Sequence, residues 1–262
     1  MTIPFGHHVI ANRYNFEGDL QLMTPLCVSS GKASYETDAP FIRTVSGVPY
    51  IPGSSLRGAI RSEVERIIAT VGPAAGITGC VMFTSGSCDD KYRAAFNGIE
   101  KTDEDIMRFA ETELCDICKL FGSPVYAARL VIEDALPSPQ GDLRSHARIR
   151  DGIGIDRDTG AARDGVKFDY EVIESGPKFF FKMTVENVSD NVSGADRKVI
   201  NLIRALLKDG LHVGGKRAGG MGKIRLSNEN ITGFSDPKTM WDNLMKNENV
   251  SKPIAWQEAS NA

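Results

Sequence analysis

Cys80, Cys88, Cys115 and Cys118 cluster in one stretch of the chain, and Cys27 stands apart from them. Cys115-Asp-Ile-Cys118 has knuckle spacing, which lets two thiolates face one ion. A Cys₄ set leaves no open position, so a zinc ion held there would be structural. The Cys80/Cys88 half is wider than a standard knuckle, and four unrelated thiols are the other reading of the same residues. Cys27, in an apolar strand, reads as core. Asp38 sits in a polar loop just before Ala39-Pro40. A loop carboxylate beside an anion site can hold Mg²⁺ or handle a proton, whereas alone it reads as a solvated acid. No Ser–His–Asp arrangement stands out, and His146 and His212 are isolated.

Two stretches could receive an anion. In Pro49-Tyr50-Ile51-Pro52-Gly53-Ser54-Ser55-Leu56-Arg57-Gly58-Ala59-Ile60-Arg61, Pro52-Gly53 breaks a strand and Ser54 or Ser55 is a suitable N-cap. Leu56, Ile60, Val64, Ile67 and Ile68 follow at helical spacing. The predicted helix start would offer free N–H donors to a phosphate, with Arg57 and Arg61 on one face. An ordinary capped helix with two solvated arginines fits the same residues. Gly214–Gly222 is the second stretch. Its backbone could approach an anion closely, with Lys216 and Arg217 supplying charge, or it is a flexible hairpin turn. It lacks GK[ST] and does not fit GxGxxG between strand and helix, which argues against ATP and NAD.

The elements that must position these residues follow from pattern. The 262 residues are 41% apolar and 25% charged, with formal net charge −3, as for a globular chain with no global basic signal. No apolar run reaches membrane-spanning length and no signal-peptide pattern is present, so a cytoplasmic protein without membrane contact is expected. Phe16, Gly18, Leu20 and Leu22 alternate with polar residues as a half-buried strand. Phe41 to Ile51 reads as a hairpin around Ser46-Gly47, leading into the helix. Residues 72–119 look like a polar, glycine-rich insertion holding one short acidic helix, Asp103 to Glu113. Ala128 to Leu136 reads as a strand. Val166–Val172 and Phe179–Val185 alternate, and the turn at Ser175-Gly176-Pro177 predicts that they pair. Val199 to Leu207 marks a second amphipathic helix, and Lys223 to Leu226 a last strand. The polar tail from Ser235 has Trp241 and Trp256 as docking anchors. The order suggests an α+β sheet with helices on one face.

Together these segments resemble the RAMP proteins of type III CRISPR effector complexes, specifically the Csm-type backbone subunit of the Cas7-like family. The resemblance rests on Tyr35–Pro40, the Gly47–Gly58 segment containing IPGSSLRG, CxxCxLFG at Cys115–Gly122, Arg129–Ala135, Gly154–Ala161 and Gly219–Lys223, in that order. The cysteine set is more like that of type III-D and III-E relatives. The resemblance implies an RRM/ferredoxin-like palm (14–71, 120–136 and 165–234), a zinc-binding finger insertion (72–119), a β-hairpin thumb (137–164) and a C-terminal tail (235–262). It implies a subunit that binds crRNA, stacks with further copies and other effector subunits into a filament, and meets complementary target RNA. Asp38 matches the family's catalytic aspartate, implying metal-dependent cleavage (Mg²⁺ or Mn²⁺) by the target's own 2′-OH. The RNA-contacting set becomes Ser54, Ser55, Arg57, Arg61, Arg148, Arg150, Lys216, Arg217, Gly219 and Gly220, with structural zinc on Cys80, Cys88, Cys115 and Cys118. A catalytically inactive guide-binding subunit is the alternative.

Overall fold

The computed structural model describes residues 6–98, 100–138 and 143–256. Residues 139–142, assigned to the thumb from sequence, the last six residues of the tail and the Arg144 side chain lie outside the described residues.

Strand β1 (Arg13–Leu22) alternates as its sequence requires: Tyr14, Phe16, Leu20 and Leu22 are buried on one face. Helix α1 (Gly53–Val71) follows, then β2 (Leu130–Ile132), β5 (Lys178–Glu186), α5 (Ala195–Asp209) and β7 (Lys223–Phe234). The strand order is β2-β5-β1-β7, every pair antiparallel, with β6 (Leu211–His212) added at the β7 edge. The succession strand, helix, strand, strand, helix, strand, with the last strand beside the first, is the ferredoxin-like palm. Leu56, Ile60 and Val64 of α1 and Val199, Ile203 and Leu207 of α5 join Phe179, Phe181 and Met183 of β5 in one continuous core. Burial of these apolar stripes is what selects the two helices' common face. A bidentate Arg129–Asp196 pair (2.9 and 3.0 Å) fixes the start of α5, and Arg204–Glu229 (2.7 Å) ties its middle to β7.

The finger carries more helix than its sequence suggests. Besides the acidic helix, now α3 (Asp103–Thr112) with a Thr102/Asp105 capping box, it has α2 (Cys88–Phe96), and α4 (Asp116–Phe121) leads back to the palm. Ser87 caps α2, a signal hidden in a stretch of small residues. The expected hairpin at residues 41–51 is reduced to a tight turn with one bridge, Arg43↔Pro49. The expected strand at 128–136 shrinks to β2 plus one bridge, Ile51↔Ala135.

The largest correction concerns pairing. β4 (Ala162–Ile173) does not pair with β5 across the Ser175-Gly176-Pro177 turn. It pairs with β3 (Ala147–Ile155) in a separate two-stranded sheet, the thumb, from Ala147↔Ile173 to Ile155↔Ala162. The boundary drawn at 164/165 therefore falls inside β4. Alternation gave the strands, but β5 buries its odd residues against α1 and α5 by pairing with β1, which leaves β4 to the hairpin. In the tail, α6 (Pro237–Met245) carries an exposed Trp241, while Trp256 packs edge-on against Tyr14 and Phe16 and donates to Asn201 (2.7 Å). The short β8 (Lys252–Pro253) adds to β7.

Candidate functional site

Asp38 lies exposed on the rim of a cleft of ≈ 420 Å³ between its own loop, strand β4 and the glycine-rich turn. The cleft is lined by Cys27, Val28, Ser29, Asp38, Ala39, Phe168, Asp169, Tyr170 and Gly214–Lys216. Asp38 and Asp169 bond reciprocally: the Asp38 N–H donates to Asp169 Oδ1 (2.8 Å) and the Asp169 N–H to Asp38 Oδ2 (3.1 Å). The Thr37 hydroxyl, then the Asp38 N–H, hold the Asp169 carboxyl below its ordinary range. Across the cleft, Lys216 Nζ stands 4.2 Å from the centroid of the Phe168 ring and 4.9 Å from that of Tyr170. Gly152 and Gly154 lie opposite Phe168 and Val166 in the hairpin. Any Cβ at Gly152 would strike the Phe168 ring, so glycine lets that ring lie flat across β3. Carboxylate, ammonium and aromatic faces thus meet in one groove, a set that can hold a phosphate beside an unstacked base. Cys27 is buried against Tyr170, Val172 and Met221 as expected, and burial pushes its thiol up.

Sequence reasoning saw the alternating Phe168 and Tyr170 but gave no role to Asp169 between them. The signal was available as the polar half of the same alternation. It lacked meaning until the register of β4 was known.

Arg148 and Arg150 share the hairpin face that carries Phe168 and Tyr170, opposite Val172 and Tyr170 respectively. Arg148 is exposed, and Arg150 pairs with Glu174 (2.7 Å). Lys216, Arg217, Gly219 and Gly220 are exposed on the turn. A backbone able to approach an anion closely, or a flexible hairpin turn, was expected here. Instead Gly215 and Gly222 donate to Cys27 and Pro25, and Gly219 and Gly220 to Lys216 and Arg217. The turn is braced, and its glycines leave open surface above Gly219 and Gly220 rather than an empty nest.

The α1 start also differs from expectation. Neither Ser54 nor Ser55 caps it: the helix begins at Gly53 after Pro52, and the Gly53 N–H donates to Asp134 Oδ1 (2.7 Å). The dipole already has a carboxylate partner in this chain. Gly53 is required because a Cβ there would collide with the Ile132 carbonyl. Ser54 is exposed and Ser55 half-buried. Arg57 reaches the Phe121 carbonyl, and burial, then Arg61, lowers its pKa. Arg61 is not solvated. It is 8% exposed, bonds Glu65 (2.7 Å) and the Gly122 carbonyl (2.9 Å), and donates to Cys118 Sγ (3.2 Å). Its guanidinium is engaged inside the fold by these three partners. Arg57 and Arg61 line a second cleft, ≈ 540 Å³, which shares no lining residue with the Asp38 cleft.

That second region adjoins the cysteines. The four Sγ atoms lie within 4.8 Å of one another, with Cys80–Cys118 at 3.6 Å and Cys80–Cys115 at 3.8 Å. A tetrahedral ion with Zn–S of ~2.3 Å requires sulfurs about 3.8 Å apart, so the four residues can hold a metal ion such as zinc. Further donors suit thiolates: the Cys115 N–H reaches Cys88 Sγ (3.3 Å), and the Cys118 N–H reaches Cys115 Sγ (3.5 Å). Bonds from Cys115 and then Cys118 draw Cys80 well down and Cys88 to about 7, while bonds to Cys115, Cys80 and Cys88 drive Cys118 up.

Arg61→Ala is expected to destabilise the chain by about 3 kcal/mol or more, because it strands Glu65 and removes a donor from Cys118. Urea melts check this, and Arg61→Lys should recover little of it, since one ammonium cannot make three diverging contacts.

The chain matches the family model of the RAMP superfamily over residues 19–225. It belongs to the RAMP superfamily. It is also similar to two proteins described as CRISPR system Cms endoribonuclease Csm3. One, from Methanocaldococcus jannaschii, is 27% identical over 249 residues, covering 90% of this chain and 85% of the relative. The other, from Methanothermobacter thermautotrophicus, is 25% identical over 250 residues, covering 83% and 85%. Within the superfamily the chain is thus a Csm-type, Cas7-like RAMP of type III systems. Ferredoxin-like palm, cysteine finger and hairpin thumb are the parts through which this RAMP builds the Asp38 cleft and the Arg57 cleft. Among the described residues, no helix is long and apolar enough to cross a membrane.

Proposed function

We propose that this RAMP is a crRNA-binding backbone subunit of a type III CRISPR effector complex. In this reading it cuts guide-complementary RNA at Asp38 with Mg²⁺ or Mn²⁺. The observation that carries the proposal is that the exposed Asp38 lines one cleft together with Lys216, Phe168 and Tyr170. The names of its two relatives agree with RNA cleavage.

In this reading Arg148, Arg150, Lys216 and Arg217 hold phosphates, with Ser54, Ser55, Arg57 and the open backbone at Gly219 and Gly220 as further contacts. Base pairing with the guide, not the protein, then selects the target sequence. The thumb ring Phe168 gives a displaced base a surface to stack on, which frees the adjacent 2′-OH to align with its own phosphate. A divalent cation at Asp38 would supply charge neutralisation at that phosphate. Zinc on the four cysteines would be structural, holding the finger against α1. The partners would be crRNA, target RNA, further copies of this chain and the other effector subunits, in the cytoplasm.

A second reading is a catalytically inactive guide-binding filament subunit. It is favoured by the engagement of Asp38 Oδ2 with the Asp169 N–H, a contact that suits a loop brace.

A denaturing gel separates the two. The assembled complex is mixed with end-labelled RNA complementary to its guide, with Mg²⁺ or with EDTA, beside an Asp38→Ala complex. Evenly spaced products that need both the cation and Asp38 are expected; tight binding without products supports the inactive filament. Lys216→Ala is expected to weaken target binding alike for every guide sequence and to make the slope of log K against log salt shallower by about one unit. An unchanged slope removes Lys216 from the phosphate contacts.

A further inference from the structure

The loop bearing Asp38 is fastened to the thumb as well as to the Val28–Ser30 segment that follows β1, where the Ser30 N–H donates to the Pro40 carbonyl (3.0 Å). The N–H groups of Asp169, Glu171 and Ile173 point to the β4 edge away from β3, and each is taken: by Asp38 Oδ2 (3.1 Å), the Ala39 carbonyl (3.0 Å) and the Leu26 carbonyl (2.9 Å). The side chains of the same strand complete the attachment. Asp169 Oδ1 accepts from the Asp38 N–H (2.8 Å), and Glu171 Oε2 accepts from the Phe41 N–H (2.8 Å) while its other oxygen pairs with Arg43. Thr37 is buried within the loop, and its hydroxyl accepts from the Ala39 N–H (3.3 Å). Residues 37–41 therefore run along the free edge of β4, held there by one main-chain bond and by the side chains of Asp38, Asp169 and Glu171. The opposite side of β4 carries Phe168 and Tyr170 under Lys216.

From this geometry we infer that Asp169 is a positioning residue: it sets the backbone of Asp38, so the placement of that carboxylate follows the thumb hairpin. The inference rests on the reading of Asp38 as the cleavage aspartate and adds a residue that acts through it. A hairpin seated on RNA by its Phe168 face would carry Asp38 with it, so cleavage competence would depend on thumb seating. The only chemistry Asp169 needs is acceptance of one main-chain hydrogen bond, a role that asparagine can also fill through Oδ1.

The test uses the assembled complex with Asp169→Ala, Asp169→Asn and Asp38→Ala. Hydrogen exchange is followed over residues 37–41, with target affinity and single-turnover cleavage measured alongside. Asp169→Ala is expected to speed exchange of the Asp38 amide and to slow cleavage about tenfold to hundredfold at unchanged target affinity, the scale of a misplaced reacting group. Asp169→Asn is expected to restore most of that loss. Unchanged exchange in Asp169→Ala overturns the inference, and so does an asparagine variant as slow as the alanine variant, which would mean that Asp169 acts through its charge. Undiminished cleavage in Asp38→Ala would instead defeat the reading of Asp38 itself, whatever the Asp169 variants do.

Discussion

Asp38→Ala in the assembled complex is expected to lower cleavage of guide-complementary RNA about 10³-fold, roughly 4 kcal/mol of lost transition-state stabilisation, with target affinity unchanged. The separation of the two effects follows from where the residue sits. Asp38 is exposed on the cleft rim and fills no core space, so truncation leaves no cavity. Its charge also disfavours rather than aids phosphate binding, which rests on the basic residues across and beside the cleft. Its loop keeps the Ala39–Glu171 and Phe41–Glu171 bonds when the Asp38 side chain is gone, so the fold of the loop survives. Binding isotherms and single-turnover rates on one preparation check the outcome. A fall in affinity that matches the fall in rate would show that Asp38 shapes the groove instead of serving the chemistry.

Cys118→Ser is expected to reduce bound zinc from one per chain to well below one and to release the finger. Cys118 is 2% exposed, joins Cys80 at 3.6 Å and receives Arg61, so it lies where finger, α1 and α4 meet. The finger's own apolar cluster is small, centred on Cys88, Phe109, Ala110, Leu114, Cys118 and Tyr126. Burial of so few side chains does not offset the ordering of a polar insertion. A structural zinc site contributes on the order of 10–16 kcal/mol in isolated finger peptides. Here, with the palm folded beside it, the loss is a fraction of that amount. Metal analysis with limited proteolysis reads both effects: the variant, and wild-type protein treated with a chelator, should be cut within residues 72–119. A variant that keeps full zinc and resists proteolysis would refute the Cys₄ assignment.

The contacts of Arg61 set it apart from Arg57. Arg57 and Arg61 look alike in sequence, one helical turn apart. The Cβ atoms of an amphipathic helix decide only which face each residue is on, and Arg61 falls at the edge of the buried stripe beside Cys118. There its pairing with Glu65 offsets the cost of burying the charge. Burial alone would lower its pKa, but the bond to Glu65 and the charge of Cys118 raise it instead.

Sequence by itself determined the parts of this protein whose signal is local. Periodicity gave β1, α1, α5 and the strands β4 and β5, because burial of one face imposes spacings of two or 3.6 residues. The cysteine spacing gave the metal-capable cluster, since a knuckle brings two thiolates together over four residues. The motif order gave the family. Tertiary structure decided whatever depends on which strand edge meets which. The Ser175–Pro177 turn is compatible with a β4–β5 hairpin, and only the longer-range competition of β1 for β5 rules it out. The helix start was legible, but its capping group, Asp134, comes from a segment distant in sequence. Asp169 became visible only once β4 had an edge, because an acid in an alternating strand has no meaning until its register places it against the loop of Asp38.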